Sequence, residues 1–258
     1  MRIMIYLSYD GSGFRGYQKQ PDARTVQQEV ERALARMHKA DSWPSTASGR
    51  TDTGVHALSQ PVHFDTPLQI PLERWPRALN GLLPDDIYVH RAVEAEGLHA
   101  RYDTVGKEYV YRMTTGAPHD VFQRHYRLQL RETPDAARMR QAAAHWLGRH
   151  DFSSLSSPRT DVADKVRTMY AVDIYQDGTS WVLRFAGSGF LYQMVRIMTG
   201  TLLAVGFGEW KPEDMPALME AKDRTQAPKT APGHGLYLSR VFYDSSELEQ
   251  HLQQRPDL

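Results

Sequence analysis

An arginine, an aspartate and a histidine stand within the stretch SGRTDTGVHA, residues 48–57: Arg50, Asp52 and His56, with Gly49 and Gly54 around the aspartate. An aspartate in a glycine-rich turn reads first as a cap, its carboxylate accepting nearby backbone N–H groups. The charge pattern adds a second reading. A carboxylate beside a guanidinium is kept ionised, because a neighbouring cation lowers its pKa. Glycine lets the backbone come close to a ligand. An ionised, positioned carboxylate can serve as a nucleophile or a base.

Other patterns carry less chemistry. Gly11, Gly13 and Gly16 in DGSGFRG spell G-x-G-x-x-G. That fingerprint binds a dinucleotide only where the glycines lead straight into a helix that receives the pyrophosphate. Here the helical pattern begins about nine residues too late, after Gln20-Pro21-Asp22, so the glycines read as a loop. His56 and His63, and His145 and His150, lack the helical spacing of a zinc pair, and no required metal is expected. The chain has no cysteine, which excludes disulfides, thiolate metal sites and cysteine nucleophiles and fits a reducing compartment. No G-x-S-x-G elbow is present.

These residues need a scaffold, and 258 residues suffice for one large domain or two smaller ones. Hydrophobic residues make up 41% and charged residues 24%, as in ordinary globular chains. No run approaches the roughly 18 apolar residues of a membrane span, and the first residues lack a signal-peptide pattern. A soluble cytoplasmic protein is expected. Net charge is zero, and its distribution is uneven. The tail after Tyr243 carries Asp244, Glu247, Glu249 and Asp257 against Arg255, whereas Leu98–Arg131 holds Arg101, Lys107, Arg112, Arg124, Arg127 and Arg131 with several aromatic residues. A basic, aromatic stretch suits either a phosphate backbone or plain solvent.

Periodicity supplies the elements. RIMIYLSYD alternates Ile3, Ile5, Leu7 and Tyr9 on one face of a strand. Thr25 and Gln28 form a capping-box pattern ahead of a helix with Val26, Val30, Ala33, Leu34 and Met37 on its core face. A weak strand near 44–49, a strand at 60–65, a helix around 71–81 and a strand at 86–93 complete a βαββαβ order, the ferredoxin-like arrangement. The second half repeats it with insertions: a strand over 107–115, a helix with Thr133 and Pro134 at its start that ends near Gly148, and strands at 168–175 and 179–187 about a Gln176-Asp177-Gly178 turn. A long helix from near Phe190, a short one around 213–222 and a strand at 236–243 follow, with loops over 151–164 and 224–235. An α/β fold of α+β type is expected, with two ferredoxin-like halves, 1–104 and 105–258, a mainly antiparallel mixed sheet and a central cleft.

SGRTDTGVHALSQ is similar to the signature of the tRNA pseudouridine synthase A family, GRTD-small-GVHA. YDGSGFRGYQKQ (9–20) resembles the family's first-strand motif, with Tyr17 where tryptophan is usual and, in the signature, Thr53 where alanine is common. RTVQQEVERAL (24–34), LPDDI (83–87), LHARYDTVGKEYVYR (98–112), GFLYQMVRIMTG (189–200) and GLYLSRV (235–241) follow in family order, so the resemblance covers almost the whole chain.

The resemblance implies a cofactor-independent enzyme that converts uridine to pseudouridine at positions 38, 39 and 40 in the anticodon stem-loop of tRNA, working as a homodimer. It makes Asp52 the nucleophile; whether the carboxylate adds to the base, attacks C1′ or lets a glycal form stays open. Tyr109 matches the active-site tyrosine, able to stack on uracil and to help move the C5 proton, while Tyr111 reads as a strand tyrosine. Arg196 matches the arginine that pairs with the nucleophile, Leu236 an apolar residue against the ring, and Arg50 a residue that fills the space of the flipped base. His99, Arg101, Tyr102, Arg167 and Thr168 match segments that contact tRNA. Two other classes compete: an RNA-binding module of the same fold that no longer catalyses, and a nucleotide-dependent oxidoreductase resting on G-x-G-x-x-G.

Overall fold

The alternation of Ile3, Ile5, Leu7 and Tyr9 becomes strand β1, Arg2–Tyr9, with those four side chains buried. In the computed structural model, which describes residues 1–116, 118–160 and 162–255, the chain divides into two units. One comprises Met1–Thr104 and Tyr237–Tyr243; the other comprises Val105–Leu236 and Asp244–Leu258. Asp161 of the expected 151–164 loop and Asp257 of the acidic tail lie outside the described residues.

The first unit runs β1, α1 (Val26–His38), β2 (Thr46–Ala47), β3 (His56–Asp65), α2 (Trp75–Asn80) and β4 (Ile87–Glu94). β1 pairs antiparallel with both β3 and β4. The strand that closes the sequence pattern, β10 (Leu236–Phe242), lies parallel to the start of β3, with Tyr237 opposite His56. β3 is longer than its pattern predicts, beginning at His56 rather than 60. β4 has an open edge, and there the Asn80 amide bonds both the N–H and the C=O of Val89, at 2.7 and 2.9 Å. Edge groups satisfied in this way are poor templates for another strand.

Val26, Val30, Ala33 and Leu34 are buried along α1 as the period requires, but the capping box does not form. Thr25 is the N-cap and makes no side-chain cap bond. The N–H groups of Val26 and Gln27 go instead to the carbonyls of Gly16 and Tyr17, at 3.4 and 2.9 Å. Backbone from an earlier loop thus serves the first two N–H groups of the helix, in place of side-chain caps.

The second unit holds β5 (Gly106–Thr115), β6 (Leu128–Leu130), α3 (Ala136–Ala144), β7 (Gly148–Asp151), β8 (Val166–Asp177), β9 (Ser180–Gly187), α4 (Met194–Gly206), α5 (Met215–Ala221) and α6 (Ser245–Leu252). Its sheet runs β5-β9-β8-β7, antiparallel throughout, and β6 adds parallel to β5. α4 is buried on nearly every side, with Met194, Val195, Ile197, Met198, Leu202 and Val205 all inside.

Four boundaries differ from the sequence pattern. α3 is capped by Asp135, whose carboxylate accepts from Ala137 and Arg138 N–H at 2.8 and 3.1 Å. Thr133 and Pro134 therefore precede the helix. It stops at Ala144 rather than near Gly148, because Gly148 at φ +89 turns the chain into β7, where a loop was expected to begin. α4 starts at Met194 rather than near Phe190, since Gln193 sits in the left-handed region at φ 60. β8 extends to Asp177, so the hairpin turns at Gly178 and Thr179. Mixed α/β architecture with mainly antiparallel pairing holds in both units. Among the described residues no helix is long and apolar enough to cross a membrane, and no group of three His, Asp or Glu could hold a metal ion.

One buried group makes stability depend on pH. His63, near the end of β3, accepts the Ala100 N–H on Nδ1 at 3.1 Å. Burial, helped by the charges of Arg2 and His99 and opposed by Asp65, lowers its pKa from 6.5 to about 4. A depressed histidine favours the fold while it is neutral, so its contribution is complete above about pH 6.5 and is lost as pH falls toward 4. Thermal unfolding followed between pH 7 and 4 should show a falling midpoint in that window. His63→Gln, which cannot take up the proton, should flatten that part of the profile.

Candidate active site

The stretch 48–56 is held from below by the loop that leaves β1. Ser48 is fully buried and its hydroxyl donates to Gln60 of β3 at 2.9 Å. Thr51 meets the Tyr9 hydroxyl at 2.7 Å, and its carbonyl accepts the Tyr17 N–H at 3.0 Å. Gly16 lies against the same backbone at φ +92; a Cβ there would stand 2.7 Å from the Thr51 carbonyl oxygen. A Cβ on Gly11 would stand 2.1 Å from the Val55 carbonyl oxygen. Two glycines of G-x-G-x-x-G thus serve close backbone approach, and α1 begins only at Val26.

Asp52 occupies the first position of a turn closed by Val55 N–H on the Asp52 carbonyl at 3.1 Å, with Gly54 at φ +74. Its side chain is half-buried, and Arg50, two residues earlier, is exposed. His56 ends the turn. Its Nδ1 accepts the Gly11 N–H at 3.0 Å, and its ring stacks on Tyr237 at 4.6 Å. The Asp10 carboxylate lies 3.3 Å from the same nitrogen. A nitrogen that accepts from Gly11 cannot also donate to Asp10, so the ring proton belongs on Nε2. The sequence weighed His56 only as a metal ligand, and against that role; its place one residue after a turn was the signal for an anchor.

His99, Arg101 and Tyr102 cluster in the same unit but at the other end of β3. His99 Nδ1 accepts the N–H groups of Arg101 and Tyr102 at 3.1 and 3.3 Å, and its ring stacks on Tyr102 at 4.3 Å. The His99 and His63 rings meet edge-on at 4.8 Å. His63 is seven residues along β3 from His56, a span of about 23 Å at roughly 3.3 Å per residue. Tyr102 is 75% exposed. The structure brings these three together and keeps them apart from Asp52.

In the second unit Tyr109 is a buried residue of β5 opposite Phe185, its ring edge-to-face with Phe190 at 5.1 Å. Arg196 lies in the first turn of α4, its Nε donating to the Ala231 carbonyl at 2.9 Å. Leu236 is buried directly after Gly235. Arg167 and Thr168 are on β8. The Arg167 guanidinium folds back onto the Asp164 and Val166 carbonyls, and the Thr168 N–H bonds the Ser188 hydroxyl. One pair escaped sequence reasoning: the buried Glu108, beside Tyr109, meets the half-buried His251 of α6 at 2.8 Å. A glutamate inside the strand, next to Tyr109, was its only signal.

Each unit therefore holds candidate groups in place, a carboxylate on a pinned turn in one and an aromatic ring and a guanidinium in the other. The chain is similar to known proteins over most of its length. A family model described as tRNA pseudouridine synthase matches residues 5–103 and 142–244. Those stretches contain Asp52, Arg196 and Leu236, while Tyr109 lies between them. A tRNA pseudouridine synthase A of Bacillus subtilis is 52% identical over 247 residues, 95% of this chain and 100% of that one. The protein of that name from Bacillus pumilus is 51% identical over the same coverage, and the one from Geobacillus kaustophilus 48% over 252 residues, 97% and 98% of the two chains.

The pinned turn yields a stability prediction. Gly16→Ala forces an ordinary side chain into a positive-φ position with its Cβ against the Thr51 carbonyl. It should cost about 1–3 kcal/mol in urea unfolding, whereas Gly97→Ala, at φ +73 with nothing within 4 Å, should cost only the backbone part of that.

Proposed function

Because the chain belongs to the tRNA pseudouridine synthase family, and is thus an enzyme that isomerises uridine in tRNA, we propose that its targets are uridines 38, 39 and 40 of the anticodon stem-loop and that Asp52 is the nucleophile. The observation that best supports this reading is the fixing of the Asp52 turn by Gly16, Tyr17, Tyr9 and Val55. A carboxylate that must meet one atom of a flipped nucleotide is helped by a backbone that cannot drift.

The isomerisation breaks the N1–C1′ bond, turns the uracil over and forms a C5–C1′ bond; C5 loses a proton and N1 gains one. Adding to the base, attacking C1′ and assisting a glycal all use the same single carboxylate, and none calls for a cofactor. Tyr109 stacks on the uracil and its hydroxyl helps remove the C5 proton. Arg196 orients and balances negative charge, Leu236 packs on the ring, and Arg50 fills the space the base leaves. His99, Arg101, Tyr102, Arg167 and Thr168 contact tRNA. For the first three, about 23 Å of β3 from His56, a large folded substrate is the kind that would reach. The reading includes a homodimer in the cytoplasm.

Unmodified tRNA transcript incubated with the protein and mapped for pseudouridine should show product at 38–40; tight binding without product would leave the RNA-binding reading instead. Asp52→Asn keeps shape and removes charge, so it should abolish product while tRNA affinity stays nearly intact. Tyr109→Phe and Tyr109→Leu separate stacking from proton transfer. The phenylalanine variant should bind tRNA normally and lose about 10²–10⁴-fold in single-turnover rate. The leucine variant should also lose affinity, since stacking on a base is worth roughly 1–3 kcal/mol. Full activity in both would remove Tyr109 from the site.

A further inference from the structure

Tyr111 is fully buried two residues along β5 from Tyr109, on the same face of the strand. Its hydroxyl donates to the Pro232 carbonyl at 2.8 Å. Its ring fills the place a side chain would need at Gly235, where a Cβ would stand 2.8 Å from Tyr111 Cε1. Leu236 is the next residue. On the other side of Pro232, Ala231 exchanges two bonds with Arg196: the Ala231 N–H donates to the Arg196 carbonyl at 3.0 Å, and Arg196 Nε donates to the Ala231 carbonyl at 2.9 Å. Two residues earlier the Lys229 carbonyl presses on α4, 1.9 Å from where a Cβ on Gly200 would be. Residues 229–235 are therefore a strap between α4 and β5, carrying the bond that sets the plane of the Arg196 guanidinium.

We propose that Tyr111 is a positioning residue for the uridine reaction, its hydroxyl fixing the strap that orients Arg196 and seats Leu236. This rests on the role given to Arg196 above. A guanidinium is planar, so one bond at Nε fixes the direction of the whole fork. That bond ends on Ala231, and Ala231 is held in place by its neighbour Pro232. Pro232 is exposed, so its carbonyl can turn to water when the phenol is removed. Loss of the hydroxyl should thus loosen the strap without leaving a buried group unsatisfied. Burial pushes the Tyr111 phenol well above its ordinary pKa, against the opposing charge of Arg196. The group therefore remains a donor throughout the neutral range.

Tyr111→Phe keeps the ring and deletes the donor. Its single-turnover rate should fall roughly 3- to 30-fold, by the same factor from pH 6 to 9, with KM for tRNA near that of the parent protein. Amide exchange should quicken at Ala231 and stay unchanged along β8. In an Arg196→Gln background the same change should cost little further rate, because the group it orients is gone. A wild-type rate, a loss confined to KM, unchanged exchange at Ala231, or a loss that simply multiplies with that of Arg196→Gln would each overturn the proposal. If Arg196→Gln alone leaves the rate intact, the assigned role of Arg196 fails and takes this inference with it; a fall with Arg196→Gln but not with Tyr111→Phe rejects Tyr111 alone.

Discussion

In the first unit backbone closes tightly on backbone. Gly11 lies on Val55 and Gly16 on Thr51, at separations no side chain could share. Everything near Asp52 follows from that closure. With Gly16 and Tyr17 laid along Thr51, the carbonyls of the same two residues point at the start of α1 and take its first N–H groups. One short loop thus ends β1, supports the Asp52 turn and caps the helix. Glycine loses more conformational entropy on folding than other residues, and backbone hydrogen bonds from the same loop to the Asp52 turn and to α1 offset that loss.

The second unit reaches the same end by different means. α4 is apolar on nearly all faces, so its position is set by burial, but burial alone does not aim an arginine. The strap from Lys229 to Gly235 adds the direction, through two bonds to Arg196 and one from Tyr111. Gly200 and Gly235 admit it where a side chain would collide. In both units, then, the backbone beside a candidate site residue, Asp52 in one and Arg196 in the other, is held in place by a second stretch of backbone. Glu108 and His251 extend the pattern to the far face of β5, tying α6 to the strand that carries Tyr109.

Period-two and period-3.6 patterns made β1 and α1 legible, because one buried face decides each, whereas β5, β9 and most of α4 are buried on more than one face. Ends were harder, and for a physical reason. Thr25 looked like a side-chain cap, yet its hydroxyl makes no cap bond, and the loop carbonyls of Gly16 and Tyr17 take the first two N–H groups of α1. Pro134 looked like a first-turn proline, yet it packs against Gly206 and Asp135 caps instead. Gln193 gave no hint of a left-handed backbone, and so the start of α4 was placed early. The site divides in the same way. Asp52 became a candidate through its neighbours Arg50 and Gly54, and Tyr109 and Arg196 through resemblance. His56 as an anchor and Tyr111 as a strap bond depend on partners 45 and 121 residues away, which no local pattern reports.

The turn at 99–102 applies the same economy at the other end of β3. Three successive N–H groups, of Ala100, Arg101 and Tyr102, are accepted by the Nδ1 atoms of His63 and His99, and the Ala100 carbonyl takes the Tyr243 hydroxyl at 2.8 Å. Ala100 is wholly buried with Met4 and Ala95. Such a turn cannot relax outward, so the exposed Arg101 and Tyr102 leave it in a set direction, with the Tyr102 ring seated on His99. Side chains ordered in advance lose less entropy when a partner arrives. The ordering is maintained only while both ring nitrogens keep their lone pairs, since a protonated imidazole has no acceptor left for the backbone. Burial of His63 secures one of them by making the charged form costly, so the rigidity of this exposed turn originates in a ring beneath it.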